Sequence, residues 1–313
     1  MKNEICSHPI SRREFAVAGT TALALGGSLL ADADNAANWI DAHVHVWTPD
    51  TQKYPLAPTF KVADMQPPSF TPEELFAECR PKGVNRIVLI QMSFYRFDNS
   101  YMIDSIAQHP NVFSGVGIVD HQAQGVADKM RELVHGGVRG LRIYWQNAAQ
   151  WKTDEAMLNL WKMAGQLKLA ICPLINPEDI VHVDAMCKRF PQTTVVVDHF
   201  ARVGISGKID SASLKALCDL ARYPQVHVKT SAFYALGKKQ APYDDLAPMI
   251  RQVRDAFGAE RLMWASDCPF QVQNGHTYKD SIALVRDRLD FLSADEKEWM
   301  LRRTAEKVFF ANK

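Results

Sequence analysis

The sequence predicts a single (β/α)8 barrel, and three observations predict it. Eight short apolar runs alternate with longer amphipathic ones, no composition break divides them, and the chain has 313 residues. One such barrel takes ~250 residues, which leaves room for a leader and for long loops. A doubly wound open sheet is the competing fold. It would place a glycine-rich phosphate loop after the first strand, and His43-Val44-His45 stands there instead.

The strand expectations run in order: Trp39–Val46, Val84–Met92, Val112–Val119, Val138–Tyr144, Leu169–Ile175, Thr194–Asp198, Val226–Ser231 and Leu262–Ser266. Their near-continuous apolar and β-branched character suits strands covered on both faces. Thr71-Pro72-Glu73-Glu74 reads as an N-cap, a first-turn proline and acidic first-turn residues. Asp98-Asn99 opens a helix over Ser100–Gln108, and Pro177-Glu178-Asp179 opens one running to Arg189. Asp244–Phe257 forms another, stopped by Gly258. Ser293-Ala294-Asp295-Glu296 is a capping box before a last helix running to Phe310. Residues 47–70 form a long, proline-rich connection after the first strand. Loops in that place lie on the catalytic face, so this one is expected to cover the site.

The N-terminus stands apart. Ser11-Arg12-Arg13-Glu14-Phe15 precedes an uncharged stretch to Ala31, and Ala31-Asp32-Ala33 offers small residues for cleavage. Residues 1–33 therefore resemble a twin-arginine signal peptide, with export to the periplasm expected and residues 34–313 as the barrel domain. The apolar stretch is short for a stable span. Net charge is +1 and no Lys/Arg run follows residue 14, so nucleic-acid binding has no electrostatic support. A small-molecule substrate is the expected partner, and the oligomeric state stays open. The six cysteines include no C-x-x-C pair, which argues against zinc ribbons and thioredoxin-like chemistry.

Asp41-Ala42-His43-Val44-His45 carries the strongest chemical signal. Alternation along a strand sends His43 and His45 to one face, which in a barrel is the inside. Two imidazoles there can hold a divalent metal or polarise a carbonyl. Asp267 follows an apolar strand and precedes Cys268-Pro269, at the end of the eighth strand. Barrel closure brings that end beside the first strand. His199 ends the sixth strand after Asp198, which itself reads equally well as a turn residue. His43, His45, His199 and Asp267 are the candidate catalytic residues. Arg142 and Tyr144 share a face of the fourth strand, where a guanidinium suits a substrate carboxylate or lactone oxygen. Gln91 and Ser93 are weaker polar candidates on strand two, as are Lys229 and Ser231 on strand seven. His121 follows strand three, and His227 sits low on strand seven, where a structural role is expected.

In order along the chain, Trp39–Trp47 with its H-x-H, Tyr54–Pro58, Val88–Gln91, Asn111–Asp120, Gly137–Arg142, Val197–His199, Lys229–Ser231, Ser266–Pro269 and Thr304–Phe309 resemble one family. It is the amidohydrolase-related group that includes L-fuconolactonase-like and 2-pyrone-4,6-dicarboxylate-lactonase-like hydrolases. The resemblance covers about residues 39 to 310. It implies a (β/α)8 hydrolase that opens a lactone of a sugar acid or dicarboxylate with water activated by Asp267. It also allows a metal-dependent decarboxylase of an aromatic or unsaturated acid. The wider superfamily adds a His from strand five and a Lys or Glu from strand four. Here strand five reads Leu169-Ala170-Ile171-Cys172-Pro173-Leu174-Ile175, and strand four offers neither. His43, His45 and Asp267 are thus the expected ligands of one zinc ion, with a metal-free site as the alternative.

Overall fold

The computed structural model describes residues 38–311, so the predicted signal peptide lies outside the described residues. Eight parallel strands form one sheet in sequential order: β1 (Trp39–Val44), β2 (Val84–Ile90), β3 (Phe113–Gly117), β4 (Val138–Tyr144), β5 (Ala170–Leu174), β6 (Val195–Val197), β7 (Val226–Thr230) and β8 (Leu262–Trp264). The sheet closes on itself just above β8. His45 N donates to Cys268 O at 2.8 Å and Asp267 N to His43 O at 2.9 Å, beside a parallel bridge from Val44 to Cys268. This is a (β/α)8 barrel. All eight expected strands are present, several of them shorter at the C-terminal end. There the chains diverge to build the mouth and lose their ladder partners.

The helices follow the strands: α1 (Pro72–Cys79), α2 (Ser100–Gln108), α3 (Val126–His135), α4 (Glu155–Gln166), α5 (Ile180–Arg189), α6 (Ser211–Asp219), α7 (Ala247–Phe257), α8 (Tyr278–Ala283), α9 (Ala294–Glu298) and α10 (Thr304–Phe309). The Thr71–Glu74 capping box starts α1 and the Ser293–Glu296 box starts α9. The last predicted helix is α9 and α10 joined by a π-helical turn at Trp299–Arg303. Helix α7 begins at Ala247 rather than Asp244, because residues 244–246 wind as a tighter 3-10 turn. No helix among the described residues is long and apolar enough to cross a membrane.

The barrel interior is filled by small and branched side chains, including Ile40, Ala42, Val88, Ile90, Val116, Ala170, Cys172 and Val196. Phe309 of α10 closes the end opposite the mouth, and its carbonyl accepts from Ser114 Oγ at 2.8 Å. At Gly140 a Cβ would lie 3.1 Å from Ala170 O and 3.2 Å from both Cys172 Sγ and Val116 Cγ2. Only glycine fits that layer without pushing a strand aside.

One irregularity decides where the chemistry points. Asp41 pairs with Ile87 and Val44 with Leu89, so three steps on β1 match two on β2. Ile40 and Ala42 face the interior, whereas Val44 packs outward with Leu89. Strict alternation from Ile40 would have sent His43 and His45 outward as well. The bulge re-phases the strand and turns both imidazoles into the mouth.

Candidate active site

The site sits at the C-terminal ends of the strands, as barrel sites do. Strand β1 delivers His43 and His45. The end of β6 delivers Asp198 and His199, β7 delivers Lys229 and Ser231, and the turn after β8 delivers Asp267. All seven are buried. His199, Phe200, Ala201 and Arg202 all have left-handed φ, between 51° and 58°, and Asp267 has φ 68°. Four consecutive non-glycine residues in that region are costly, at ~1–2 kcal/mol each. Such strain survives where the surroundings over-determine it, which is typical of functional sites. Here it lifts His199 off the strand and faces it towards Asp267.

The polar groups interlock in two layers. In the upper layer, Asp267 Oδ1 lies 3.4 Å from His43 Nε2 and 3.4 Å from His45 Nε2, and the two Nε2 atoms are 3.3 Å apart. Asp267 Oδ2 accepts from Tyr234 OH at 2.7 Å and lies 3.9 Å from His199 Nε2. The outer ring nitrogens are held. His45 Nδ1 is 2.9 Å from Ile90 O and His199 Nδ1 is 2.8 Å from Ser231 Oγ. In the lower layer, Asp198 Oδ1 lies 3.0 Å from Lys229 Nζ and 3.4 Å from His43 Nδ1, and Asp198 Oδ2 lies 3.4 Å from Arg142. Lys229 Nζ is also 3.2 Å from His43 Nδ1.

These surroundings set the charges. Burial opposes ionisation of Asp198, but Lys229, His43 and Arg142 outweigh it and hold the carboxyl well below its ordinary range. Burial likewise opposes ionisation of Asp267, and His199, His45 and His43 reverse that, keeping it ionised. Burial pushes His43 well down, helped by Lys229 and His199, and pushes His199 to about 4 against the pull of Asp267 and Asp198. The centre therefore presents His43 and His199 as neutral imidazoles beside an anionic Asp267 at neutral pH.

His43, His199 and Asp267 each offer a ligand atom, all within 4.8 Å of one another. His43, His45 and Asp267, the set expected from the sequence, are as close. Neutral imidazole and carboxylate donors with oriented outer nitrogens fit one divalent ion. His199 was expected as a catalytic group and not as a ligand. It joins the donor set because the left-handed turn brings its ring centroid to 4.4 Å from that of His43.

Two cavities meet at this centre and share His45, Arg142, Leu174, Arg202 and Phe270 as walls. The smaller, about 280 Å³, is bounded by His199, Tyr234 and Asp267 and holds the chemistry. The larger, about 760 Å³, runs past Tyr144 beneath the loop carrying Thr59 and Phe60, so the 47–70 connection does reach over the site. Arg142 borders both, and its Nε has no hydrogen-bond partner. Tyr144 lines the larger one with its buried hydroxyl also unpartnered. Gln91 is a correction: it borders neither cavity, and its amide donates to the Asp98 and Arg96 carbonyls, tying down the loop after β2. His121 lies at the larger cavity's rim, 3.3 Å from Asp154. His227 is remote from the site, with Nδ1 3.2 Å from Gln225 O.

Sequence reasoning undervalued Asp198 and Lys229. The signal was a lysine within an apolar strand, since lysine is almost never fully buried without a partner. Tyr234 and Arg202 lie in irregular segments, where no periodicity marks an inward face.

The family model described as Amidohydrolase matches residues 40–311, and the chain belongs to that family of enzymes. It is 29% identical over 243 residues to an L-fucono-1,5-lactonase of Burkholderia ambifaria, covering 76% of this chain and 82% of that protein. It is 26% identical over 265 residues to a 4-sulfomuconolactone hydrolase of Hydrogenophaga intermedia, covering 82% and 83%. Among solved structures, an amidohydrolase of Burkholderia multivorans with bound zinc superposes with a TM-score of 0.73 at 21% identity, covering 87% of this chain and 99% of that one.

Proposed function

We propose that the protein hydrolyses a lactone of an acidic substrate, a sugar acid or dicarboxylate, and that Asp267 activates the water. The observation that carries this is Asp267 with Oδ1 3.4 Å from two buried imidazoles, in a cavity whose walls include Arg142 and Arg202. The lactone hydrolases among its relatives support the same reading. Asp267 takes a proton from water, and the hydroxide adds to the lactone carbonyl. His199 and Arg142 face the developing oxyanion and stabilise it, while His45, whose Nδ1–H donates to Ile90 O, presents its Nε2 lone pair to the centre. Collapse of the tetrahedral adduct breaks the ring C–O bond, and Asp267 returns its proton to the departing alkoxide. Arg142 and Tyr144, which line the larger cavity, anchor the substrate's carboxylate or hydroxyl.

One zinc ion would be held by His43, His45 and Asp267, with His199 as a further donor. Bound there, it would supply Lewis-acid polarisation and make the water more acidic. The first test combines elemental analysis of the purified protein with lactone hydrolysis before and after chelation. About one zinc per chain with chelator-sensitive turnover supports the metal site. Chelator-insensitive turnover without bound metal leaves the histidines as the electrophile. The second test is Asp267→Asn. It is expected to lower kcat at least ~10³-fold while the fold persists. Near-normal turnover by that variant would sink the assignment. Residues 1–33 are proposed to direct export through the twin-arginine route to the periplasm, and Arg12→Lys/Arg13→Lys should retain the chain in the cytoplasm.

A further inference from the structure

The larger cavity has, beside Tyr144, an apolar lining that a small polar lactone would not use. The strand pairing explains how it opens. Strand β3 pairs with β4 only as far as Gly117 and Leu141, while β4 continues to Tyr144. Above Gly117 the wall between β3 and β4 is therefore unzipped. Through that gap the mouth reaches the outer side of β4, where Leu141 and Ile143 face Trp151, Met157 and Leu160 from the loop before α4 and from α4 itself. Ile118, just past the end of β3, completes the floor. All six side chains are buried, yet they line open space. Protein interiors are otherwise close-packed, with few voids larger than a water molecule. The volume of about 760 Å³ lies in the range that encloses a drug-sized ligand.

We infer that this chamber receives an extended apolar substituent of the substrate, while the reacting ring occupies the smaller cavity at Asp267. The inference rests on the lactonase reading and narrows its substrate: the lactone whose carboxylate or hydroxyl Arg142 and Tyr144 hold also carries an alkyl or aryl tail. The five shared wall residues give the geometry. A ring carbonyl placed at Asp267 has its substituent directed past Arg142 and Phe270 into the chamber. Leu141, Met157 and Leu160 give the cavity an apolar wall beside polar residues that include Arg96, Asp120 and His121.

The experiment compares δ-valerolactone with δ-decalactone, which adds a pentyl tail to the same ring, on the wild-type enzyme and on Leu160→Trp. Each methylene buried should raise kcat/KM about fourfold, so δ-decalactone should be preferred by at least ~30-fold. Leu160→Trp should reduce its kcat/KM at least ~10-fold and change that of δ-valerolactone by less than ~3-fold. Equal specificity constants for the two lactones overturn the inference. Titration calorimetry with 5-hydroxydecanoate and 5-hydroxypentanoate on the wild-type protein separates the two readings. If neither lactone is hydrolysed but the longer acid binds at least ~10-fold tighter, the lactonase reading fails and the chamber stands. Equal affinities overturn the chamber, and this comparison decides the matter even if Leu160→Trp does not fold.

Discussion

Each buried charge at the base of the site is tolerable only because of its neighbours. Lys229 has no solvent exposure and lies 3.0 Å from Asp198, which also has none. Removing one member of such a pair strands the other in a low-dielectric interior, at ~3–5 kcal/mol. Lys229→Met should therefore lower the unfolding free energy, measured by urea denaturation, by an amount in that range, softened by Arg142, which still faces Asp198 at 3.4 Å. Adding Asp198→Asn to Lys229→Met removes the stranded charge and should restore at least half of the loss. If the double variant is less stable than the single one, the coupling is misassigned. His43, His45, His199 and Asp267 were legible in the sequence because each ends or follows an apolar strand. Asp198 was not, because an aspartate before a histidine at a strand end also fits an ordinary turn. Its role depends on Lys229, thirty-one residues later, and only barrel closure brings the two together.

At the scale of elements, strand order and existence were legible, whereas local distortions were not. The bulge in β1 has no glycine to announce it, and neither has the left-handed run His199-Phe200-Ala201-Arg202. Both are imposed by tertiary contacts, which override local propensity. Helix caps behave in the opposite way, because their signal is local. Ser293 Oγ accepts from Glu296 N while the Glu296 carboxylate accepts from Ser293 N at 2.8 Å, far from the site. Ser293→Ala should cost ~1 kcal/mol, seen as a drop in Tm of ~2–4 °C for a domain this size. Turnover should be unaffected. A loss of activity without a change in Tm would contradict this account of α9.

The barrel as a whole encloses titratable groups that oppose one another as pH falls. His227, low on β7, is buried, and that burial depresses its pKa to about 4. An unfolded histidine titrates near ~6.5. Between those values the unfolded chain binds the proton that the folded chain refuses, so stability falls as pH drops. The contribution is intact above ~6.5 and is lost progressively towards 4. Asp41 has the opposite sign. Burial raises its pKa to about 6, against hydrogen bonds from Ser266, Tyr278 and His43. The folded state then keeps a proton that the unfolded state has released, which favours folding as pH falls through 6. The raw pH profile of the wild type mixes these effects with those of His43 and His199. The difference between wild type and His227→Asn isolates one of them. From pH 7.5 to pH 5, wild type should lose ~2 kcal/mol more than the variant, measured by urea denaturation at both pH values. Equal losses would mean that His227 takes up its proton in the folded barrel as readily as in the unfolded chain.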